Sequence, residues 1–308
     1  MRKLFLVQLV SLFSCISATG QKEPSRPHIL GIAQVKIFAA NRPVSLGFYS
    51  KTLDLAHDVN RTLPDETFLL NAFQDIWVFP APTPTPTNLI DEITFSTDDI
   101  PGLRRYLGSH QITVSRPNIS SIGDYYLTVV DPEGHRIGFL QRGKEAERPE
   151  RPDPQSSSPA AHSTFRLIHA GLVVHDRAVE DRFYKDILGF HVYWHGGMKE
   201  GEDHWIDMQV PDGTDWIEYM LNVPANADRH TLGVMNHIAL GVPDIHAAEA
   251  QLRKNGWSGN EQPKIGRDGK WQLNLYDPDD TRVELMEFTP TQKPCCSEYT
   301  GPHPGQHP

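Results

Sequence analysis

The sequence predicts an α+β fold of four tandem βαβββ modules. The first observation is that a strand-like run, an amphipathic helix and about three further strands follow one another four times. The second is that two modules open alike: segments 169–176 and 237–244 each begin with a histidine and end with an aspartate suited to capping a helix. The third is that a Phe-Tyr pair recurs at residues 48–49 and 183–184, in the helices of the first and third modules. Such an internal repeat indicates the architecture more strongly than any single motif.

Length and composition limit the classes of function. At 308 residues the chain is long enough for two domains that each bury their own core. A composition of 38% hydrophobic and 22% charged residues is typical of a soluble globular protein. The formal net charge is −10, and no Lys/Arg cluster stands out. Because an acidic surface repels phosphate backbones, we expect no nucleic-acid partner.

Residues 1–20 have the features of a signal peptide. Two basic residues precede an apolar stretch, residues 4–13, and small residues follow it. The stretch is too short to be a permanent bilayer anchor, so we expect no membrane span. The segment therefore predicts export to a periplasmic or extracellular location. Residues 12–15 are similar to a lipoprotein box, so a lipid anchor at Cys15 is the alternative to simple secretion.

Residues 30–141 hold the first two modules and form the predicted N-terminal domain. In the first module, Pro43 suits the first turn of a helix that Asn41 can cap. In the second module, the helix follows Asp99. The predicted strands are residues 31–38, 68–72, 76–79, 91–96, 125–130 and 137–140.

Residues 165–288 hold the third and fourth modules and form the predicted C-terminal domain. The third-module helix starts after Asp176 and ends at Gly189, and the fourth-module helix lies between Asp244 and Gly256. Besides the two opening segments, the predicted strands are residues 191–194, 205–210, 216–221, 271–276 and 282–288.

Two further segments separate or follow these domains. Residues 142–164 are rich in charged residues, proline and serine, which predicts a linker at a domain boundary. Residues 289–308 are rich in proline, glycine and histidine, which predicts a disordered tail. Cys295 and Cys296 are adjacent in this tail, and adjacent cysteines rarely bridge to each other. We therefore expect no disulfide framework.

Two histidines and two glutamates stand at repeat-equivalent positions of the C-terminal domain. His169 and His237 lie in the first strands of the two modules, and Glu218 and Glu284 lie in the last strands, at nearly equal separations. Because side chains alternate along a strand, each glutamate shares its face with bulky apolar residues. A buried lone carboxylate is costly unless it is paired or bound to a metal. The four residues therefore predict a site for one divalent metal ion, which could be Zn, Ni, Mn or Fe.

His195 is the candidate for a catalytic role outside this ligand set. It lies in the hairpin after the third-module helix, between Trp194 and Gly196-Gly197. Imidazole is the side chain whose unperturbed pKa best suits proton transfer near neutral pH. We expect His195 to contact the substrate or to act as a general acid or base.

The sequence also resembles a known superfamily. The likeness is carried by residues 169–174, 183–190 and 237–242, and by Asp277-Pro278 leading to Glu284. With the four-module repeat, these segments resemble the vicinal oxygen chelate superfamily, which includes glyoxalase I, type I extradiol dioxygenases, and fosfomycin and bleomycin resistance proteins. The resemblance implies two glyoxalase-like domains, in each of which two modules form a curled mixed sheet. It also implies that the metal lies in the trough of the sheet, bound by the first and last strands of the modules.

The resemblance assigns a full ligand set to the C-terminal domain alone. The matching positions of the N-terminal domain hold Gln34, Val78, Glu92 and Gly138, and neither Val78 nor Gly138 can bind a metal. We therefore expect the N-terminal domain to be degenerate and to have no metal site.

Three functions are open at this point, all with a small-molecule substrate or ligand. The first is a glyoxalase-I-like lyase or isomerase, in which Glu284 would be the general base and Glu218 its partner. Its substrate would chelate the metal through vicinal oxygens. The second is a type I extradiol ring-cleavage dioxygenase that uses Fe(II), with His169, His237 and Glu284 as ligands. The third is a non-catalytic binding protein of the resistance type.

The lyase or isomerase is the first expectation. Extradiol enzymes have a histidine upstream of the glutamate of the last strand, and here no histidine lies between His246 and Glu284. Glu218 would also be an additional carboxylate in a dioxygenase site. The complete ligand set argues against a binding protein without metal.

Overall fold

The computed structural model describes residues 24–57, 66–120, 123–143 and 165–306. The predicted signal peptide and nearly all of the predicted linker lie outside these residues. Within the described part of the chain, no helix is both long enough and apolar enough to cross a membrane.

The described residues contain two eight-stranded sheets. The first sheet consists of β1 (Ile29–Ala39), β2 (Ala56–His57), β3 (Glu66–Leu69), β4 (Asp75–Pro80), β5 (Ile90–Thr97), β6 (Asn118–Ile119), β7 (Tyr125–Val130) and β8 (Arg136–Gln141). The second consists of β9 (Arg166–Val173), β10 (His191–Gly196), β11 (Trp205–Gln209), β12 (Trp216–Met220), β13 (His237–Val242), β14 (Lys264–Ile265), β15 (Trp271–Tyr276) and β16 (Arg282–Glu287). Both sheets are mixed, and the predicted α+β fold of two curled-sheet domains is confirmed.

Five helical segments accompany the sheets in the described residues. They are α1 (Arg42–Gly47, followed by a π-helical turn at Phe48–Thr52), α2 (Ile100–Ser109), α3 (Arg177–Asp181, followed by a π-helical turn at Arg182–Ile187), α4 (Arg229–Met235) and α5 (Ile245–Lys254). Asp99, Asp176 and Asp244 cap α2, α3 and α5 as predicted, because each carboxylate accepts a backbone N–H of the first turn. Asn41 makes no such side-chain hydrogen bond, and α4, capped by Asp228, was not predicted.

The strand order places the first and last strands of every module at the centre of a sheet. In the second sheet the order is β10-β11-β12-β9-β13-β16-β15-β14, and the first sheet has the equivalent order β2-β3-β4-β1-β5-β8-β7-β6. Each first strand is parallel to the last strand of its own module, and the two first strands are antiparallel to each other. The four central strands of the second sheet are therefore the four that carry the predicted ligands.

The core is continuous between the two halves. Buried apolar side chains of both sheets belong to one cluster, and the rings of Phe95 and Phe190 meet edge to face across it, 5.3 Å apart. Two tyrosines of the repeated Phe-Tyr pair also link the halves. The hydroxyl of Tyr49 donates to Asp277 at 3.2 Å, and that of Tyr184 donates to Asp131 at 2.9 Å. Each tyrosine thus reaches an aspartate in the other half of the chain, so the two contacts are reciprocal.

The C-terminal tail differs from the prediction. Residues 289–306 are not disordered but run along the second sheet, with backbone hydrogen bonds from Cys295 to Arg267 and from Thr300 to Tyr193. The ring of Tyr299 packs 4.7 Å from that of Tyr193. The prediction from composition was wrong because the packing of one aromatic ring and a few backbone hydrogen bonds offset the conformational entropy that the tail loses. The adjacent cysteines, expected to be unbridged, form a disulfide with each other.

We predict that the Tyr299 anchor contributes measurably to stability. Tyr299→Ala should lower the free energy of unfolding by about 2 kcal/mol, because a partly buried aromatic ring and its hydrogen bond to Asp268 are lost together. Urea unfolding followed by circular dichroism measures this loss. Tyr125→Ala is the matched control, since Tyr125 is 37% exposed, and should cost less than about 0.5 kcal/mol. Equal losses in the two variants would contradict the packed tail.

Candidate metal centre

The four predicted ligands meet on one face of the second sheet. The Nε2 atoms of His169 and His237 face each other at 3.0 Å. Glu218 Oε2 lies 3.1 Å from His237 Nε2 and 3.8 Å from His169 Nε2. Glu284 Oε2 lies 3.5 Å and 3.7 Å from the same two nitrogens. Donor atoms of His169, Glu218 and His237 all lie within 4.8 Å of one another, which is close enough to share one ion.

Register explains why these side chains converge. Gly171 of β9 pairs with both Glu218 of β12 and His237 of β13, so the two side chains flank a position that has none. His169 lies two residues earlier on the same face, and Glu284 of β16 pairs with Ala239, the residue opposite His169. Pleating turns alternate residues to the same face, so all four side chains enter one trough. We call this group the metal-centre cluster.

The histidines of the metal-centre cluster are neutral. His169 and His237 are 1% and 0% exposed, and burial lowers the pKa of both imidazoles, that of His237 to about 3. His237 Nδ1 lies 2.8 Å from the carbonyl oxygen of Met235. Because a carbonyl only accepts, Nδ1 carries the proton, and Nε2 presents its lone pair to the centre. His237 thus has the tautomer that a metal ligand requires.

The two carboxylates differ in their charge preference. Burial alone would raise the pKa of Glu284, but contact with His169 and the positive charge of Arg282 outweigh burial and lower it to about 2. Burial raises the pKa of Glu218, although the neighbouring His169 and Arg282 oppose that rise. Glu284 is therefore a permanent anion, whereas Glu218 is the better proton acceptor.

The donor set fits a divalent cation. Two neutral imidazole nitrogens at 3.0 Å repel each other unless a proton or a cation lies between them. His169 Nδ1 is buried, and none of the described residues accepts a hydrogen bond from it, so none of them fixes a proton on that side of the ring. Two imidazoles and two carboxylates are the mixed donors that zinc, manganese and ferrous ions take. These four residues could hold such an ion.

Arg282 is a cationic neighbour that the sequence analysis missed. It lies two residues before Glu284 on the same face, and its Nη2 is 2.7 Å from His237 Nε2 and 4.0 Å from Glu218 Oε2. Nη2 also lies 2.8 Å from His237 Nδ1, so it sits beside the ring between the two nitrogens, and its positive charge opposes a cation at the cluster. The spacing of two residues from Glu284 was the signal available in the sequence.

A buried lysine forms the wall next to the cluster. Lys270 is 0% exposed, and no hydrogen-bond partner for its Nζ is found among the described residues. The ammonium lies over three rings, 4.5 Å from the centroid of Trp216, 5.2 Å from Tyr299 and 5.3 Å from Tyr193. Burial lowers the pKa of Lys270, while nearby Asp207 and Asp268 oppose this. No motif in the sequence pointed to this lysine.

His195 does not reach the cluster, contrary to the sequence prediction. On β10 it is Trp194 that pairs with Asp207, and Asp207 in turn pairs with Glu218. Trp194 therefore takes the trough face, and His195 points to the opposite face. There its Nδ1 lies 2.7 Å from Asp203 near the surface. The prediction was wrong because neighbouring positions on a strand face opposite sides of the sheet.

The N-terminal sheet has protein cations at the corresponding place. Lys36 takes the position of Gly171, and its Nζ lies 2.8 Å from Glu92, which takes the position of His237. Arg136, the counterpart of Arg282, also contacts Glu92, at 3.2 Å. The register further shows that Trp77, not Val78, matches Glu218, because Trp77 pairs with Lys36. The alignment of β4 with β12 that the sequence predicted was therefore shifted by one residue.

Comparison with known proteins agrees with this architecture. Residues 166–285 match the family model described as the Glyoxalase/Bleomycin resistance protein/Dioxygenase superfamily, which confirms the resemblance seen in the sequence. The 2,3-dioxygenase LapB from Pseudomonas sp. KL28 is 16% identical, with a TM-score of 0.62 over 91% of this chain and 96% of LapB. An extradiol ring-cleaving dioxygenase from B. fuscum is 18% identical, with a TM-score of 0.64 over 91% of this chain and 75% of that chain. At these identities the likeness establishes the fold. No curated protein matches the chain.

We predict that His237 is required for metal binding at the cluster. His237→Ala should remove one equivalent of bound metal per chain, because the preoriented Nε2 donor is lost. Metal analysis after loading with ZnCl₂ and gel filtration measures the content. The matched control is His230→Ala, which changes an exposed histidine and should leave the content unchanged. Retention of the full metal content by His237→Ala would show that the cluster is not the binding site.

We also predict that Arg282 weakens metal binding. Arg282→Met should tighten Zn²⁺ binding at the cluster about tenfold, because a like charge close to the ion is removed. Competition with a chromophoric chelator gives the affinity. Arg253→Met, which removes an arginine paired with Glu249 on α5, is the control and should leave the affinity unchanged. Weaker binding by Arg282→Met would mean instead that Arg282 orients the ligands.

Proposed function

We propose that this chain, whose C-terminal half carries a glyoxalase-superfamily domain, is a metal-dependent enzyme that acts on a small molecule with two vicinal oxygens. The observation that carries the proposal is the convergence of His169, His237 and Glu284 at the centre of the second sheet. Ring cleavage of a catechol-type substrate with Fe(II) and O₂ is the first candidate reaction. It is supported by the likeness of the whole two-domain fold to enzymes named as 2,3-dioxygenases.

The ion would polarise the chelating oxygens of the substrate, and ferrous iron would add the redox chemistry that O₂ requires. The neutral imidazoles of His169 and His237 and the anionic Glu284 are a two-His, one-carboxylate set, the ligand pattern suited to non-haem Fe(II). In this candidate reaction Glu218 is an additional carboxylate beside the three ligands and has no required step of its own. The Nζ of Lys270 lies beside the trough, 4.5 Å from the ring centroid of Trp216, and in its protonated form it would favour a substrate that becomes anionic.

A lyase or isomerase of the glyoxalase type is the second candidate, and Glu218 is the observation that favours it. Its Oε2 is the carboxylate oxygen nearest to His237 Nε2, at 3.1 Å, so it can serve as a fourth ligand. In that reaction the two carboxylates would share proton transfer at a carbon next to a carbonyl group. His195 has no part in either proposal, because it points to the other face of the sheet.

We predict that two glutamine variants separate the candidates. In a dioxygenase, Glu284→Gln should lower turnover at least 100-fold because an anionic ligand is lost, whereas Glu218→Gln should keep activity within about tenfold. In a lyase or isomerase, both variants should lose at least 100-fold, because both carboxylates move protons. The assays are O₂ uptake with catechols on Fe(II)-loaded protein, and conversion of a methylglyoxal hemithioacetal on Zn²⁺- or Ni²⁺-loaded protein.

The control is His230→Ala, which should retain wild-type turnover in the active assay. Stoichiometric O₂ consumption with appearance of a ring-opened product supports the first candidate. Metal-loaded protein that turns over neither substrate class but binds catechols would instead favour a non-catalytic binding protein.

A further inference from the structure

A second group of potential ligands lies where the two halves of the chain meet. The turn between β7 and β8 brings Asp131 and His135 against Glu180 of α3. Asp131 is held firmly: its Oδ1 accepts the backbone N–H groups of Glu133 and His135, at 3.1 and 2.8 Å. Its Oδ2 lies 2.8 Å from His135 Nδ1 and accepts the hydroxyl of Tyr184 at 2.9 Å. We call Asp131, His135 and Glu180 the interface cluster.

Glu180 is the unexplained member of the interface cluster. It is 0% exposed, and its Oε1 accepts the backbone N–H of Glu133 at 2.8 Å. Its Oε2 is buried and has no hydrogen-bond partner in the part of the chain that the structure describes. Donor atoms of Glu180, Asp131 and His135 all lie within 4.8 Å of one another. A buried carboxylate oxygen without a hydrogen-bond donor is costly. This oxygen therefore calls for a proton or a cation beside it.

The repeat supplies an internal comparison at the opposite interface. There the turn between β15 and β16 places Asp277 and Asp279 against α1, and Tyr49 donates to Asp277 just as Tyr184 donates to Asp131. Ser45 stands where Glu180 stands in the other half, and its hydroxyl donates to Asp279 at 3.1 Å. Thr281 stands in the place of His135 and donates its backbone N–H to Asp277 at 2.9 Å. At this interface the second buried carboxylate, Asp279, is paired with Ser45 and Arg229, and a serine and a threonine stand where the other interface has Glu180 and His135.

Glu180 and His135 therefore have no ionisable counterpart at the opposite interface, where Ser45 and Thr281 take their places. Two carboxylates and one imidazole within reach of each other are a donor set for a first-row divalent ion such as Zn²⁺. We propose that Asp131, His135 and Glu180 bind a divalent cation that fastens the two halves together, separate from the metal-centre cluster. Each half of the chain supplies part of the site: Asp131 and His135 come from the first half, and Glu180 from the second. His135 is the member that reaches solvent, so the ion would enter on its side.

Metal counting on the full chain tests this inference. After loading with ZnCl₂ and gel filtration, the wild type should hold two equivalents, and Glu180→Gln and Asp131→Asn should each hold one. Asp277→Asn is the matched control, because it changes the equivalent buried aspartate of the opposite interface and should retain two. His237→Ala should hold one, and the double variant His237→Ala/Glu180→Gln should hold none. Circular dichroism verifies that each variant is folded.

A thermal measurement checks that the ion fastens the interface. Added Zn²⁺ should raise the Tm of His237→Ala, which keeps only the interface cluster, and should not raise that of His237→Ala/Glu180→Gln. Suppose that the wild type holds one equivalent of zinc, that His237→Ala loses it and that Glu180→Gln keeps it. This result would overturn the inference and would mean that a proton, and not an ion, is bound at Glu180. One equivalent that survives His237→Ala but is lost in Glu180→Gln would sustain the inference and refute the metal of the proposed function.

Discussion

The antiparallel pairing of β9 with β13 is the contact on which the metal centre depends. It places Gly171 opposite His237, and a Cβ at Gly171 would come within 2.1 Å of the imidazole ring. The missing side chain is therefore what lets the ring lie over the sheet and face His169. In the first sheet the same pairing sets Lys36 opposite Glu92, and the lysine ammonium occupies the space with its own charge. This position is one of several at which the sheet with the four converging donors differs from the sheet that its own side chains neutralise.

Charge balance governs both buried clusters. The metal-centre cluster has two carboxylates and two neutral imidazoles, with Arg282 beside it and Lys270 behind Trp216. Buried charges are tolerated when opposite charges or hydrogen bonds accompany them, so these cations stabilise the carboxylates when no metal is bound. In the interface cluster the group paired with Asp131 is the imidazole of His135, and one oxygen of Glu180 has no partner among the described residues. The two sites solve the same electrostatic problem by different means.

The equivalent topology of the two sheets lets one scaffold support these differences. The β7–β8 and β15–β16 turns make equivalent contacts with Tyr184 and Tyr49, so the join between the halves is built twice. In the first sheet Lys36 and Arg136 form ion pairs with Glu92, whereas the second sheet has the four converging donors. Both halves have the same strand order, and a few facing positions decide whether the centre of a sheet carries four converging donors or a carboxylate paired with protein cations.

The sequence by itself determined the α+β architecture, three of the helix caps and the four polar residues that converge in the trough, because these follow from local periodicity and from comparison of one module with another. Only the tertiary structure decided which residues face the trough. His195 was excluded and Trp77 replaced Val78, because a shift of one residue along a strand turns a side chain to the opposite face. Arg282, Lys270, the packed tail and the interface cluster were likewise invisible in the sequence. Their partners lie far away along the chain, and only the pairing of strands and the docking of the two halves bring them together.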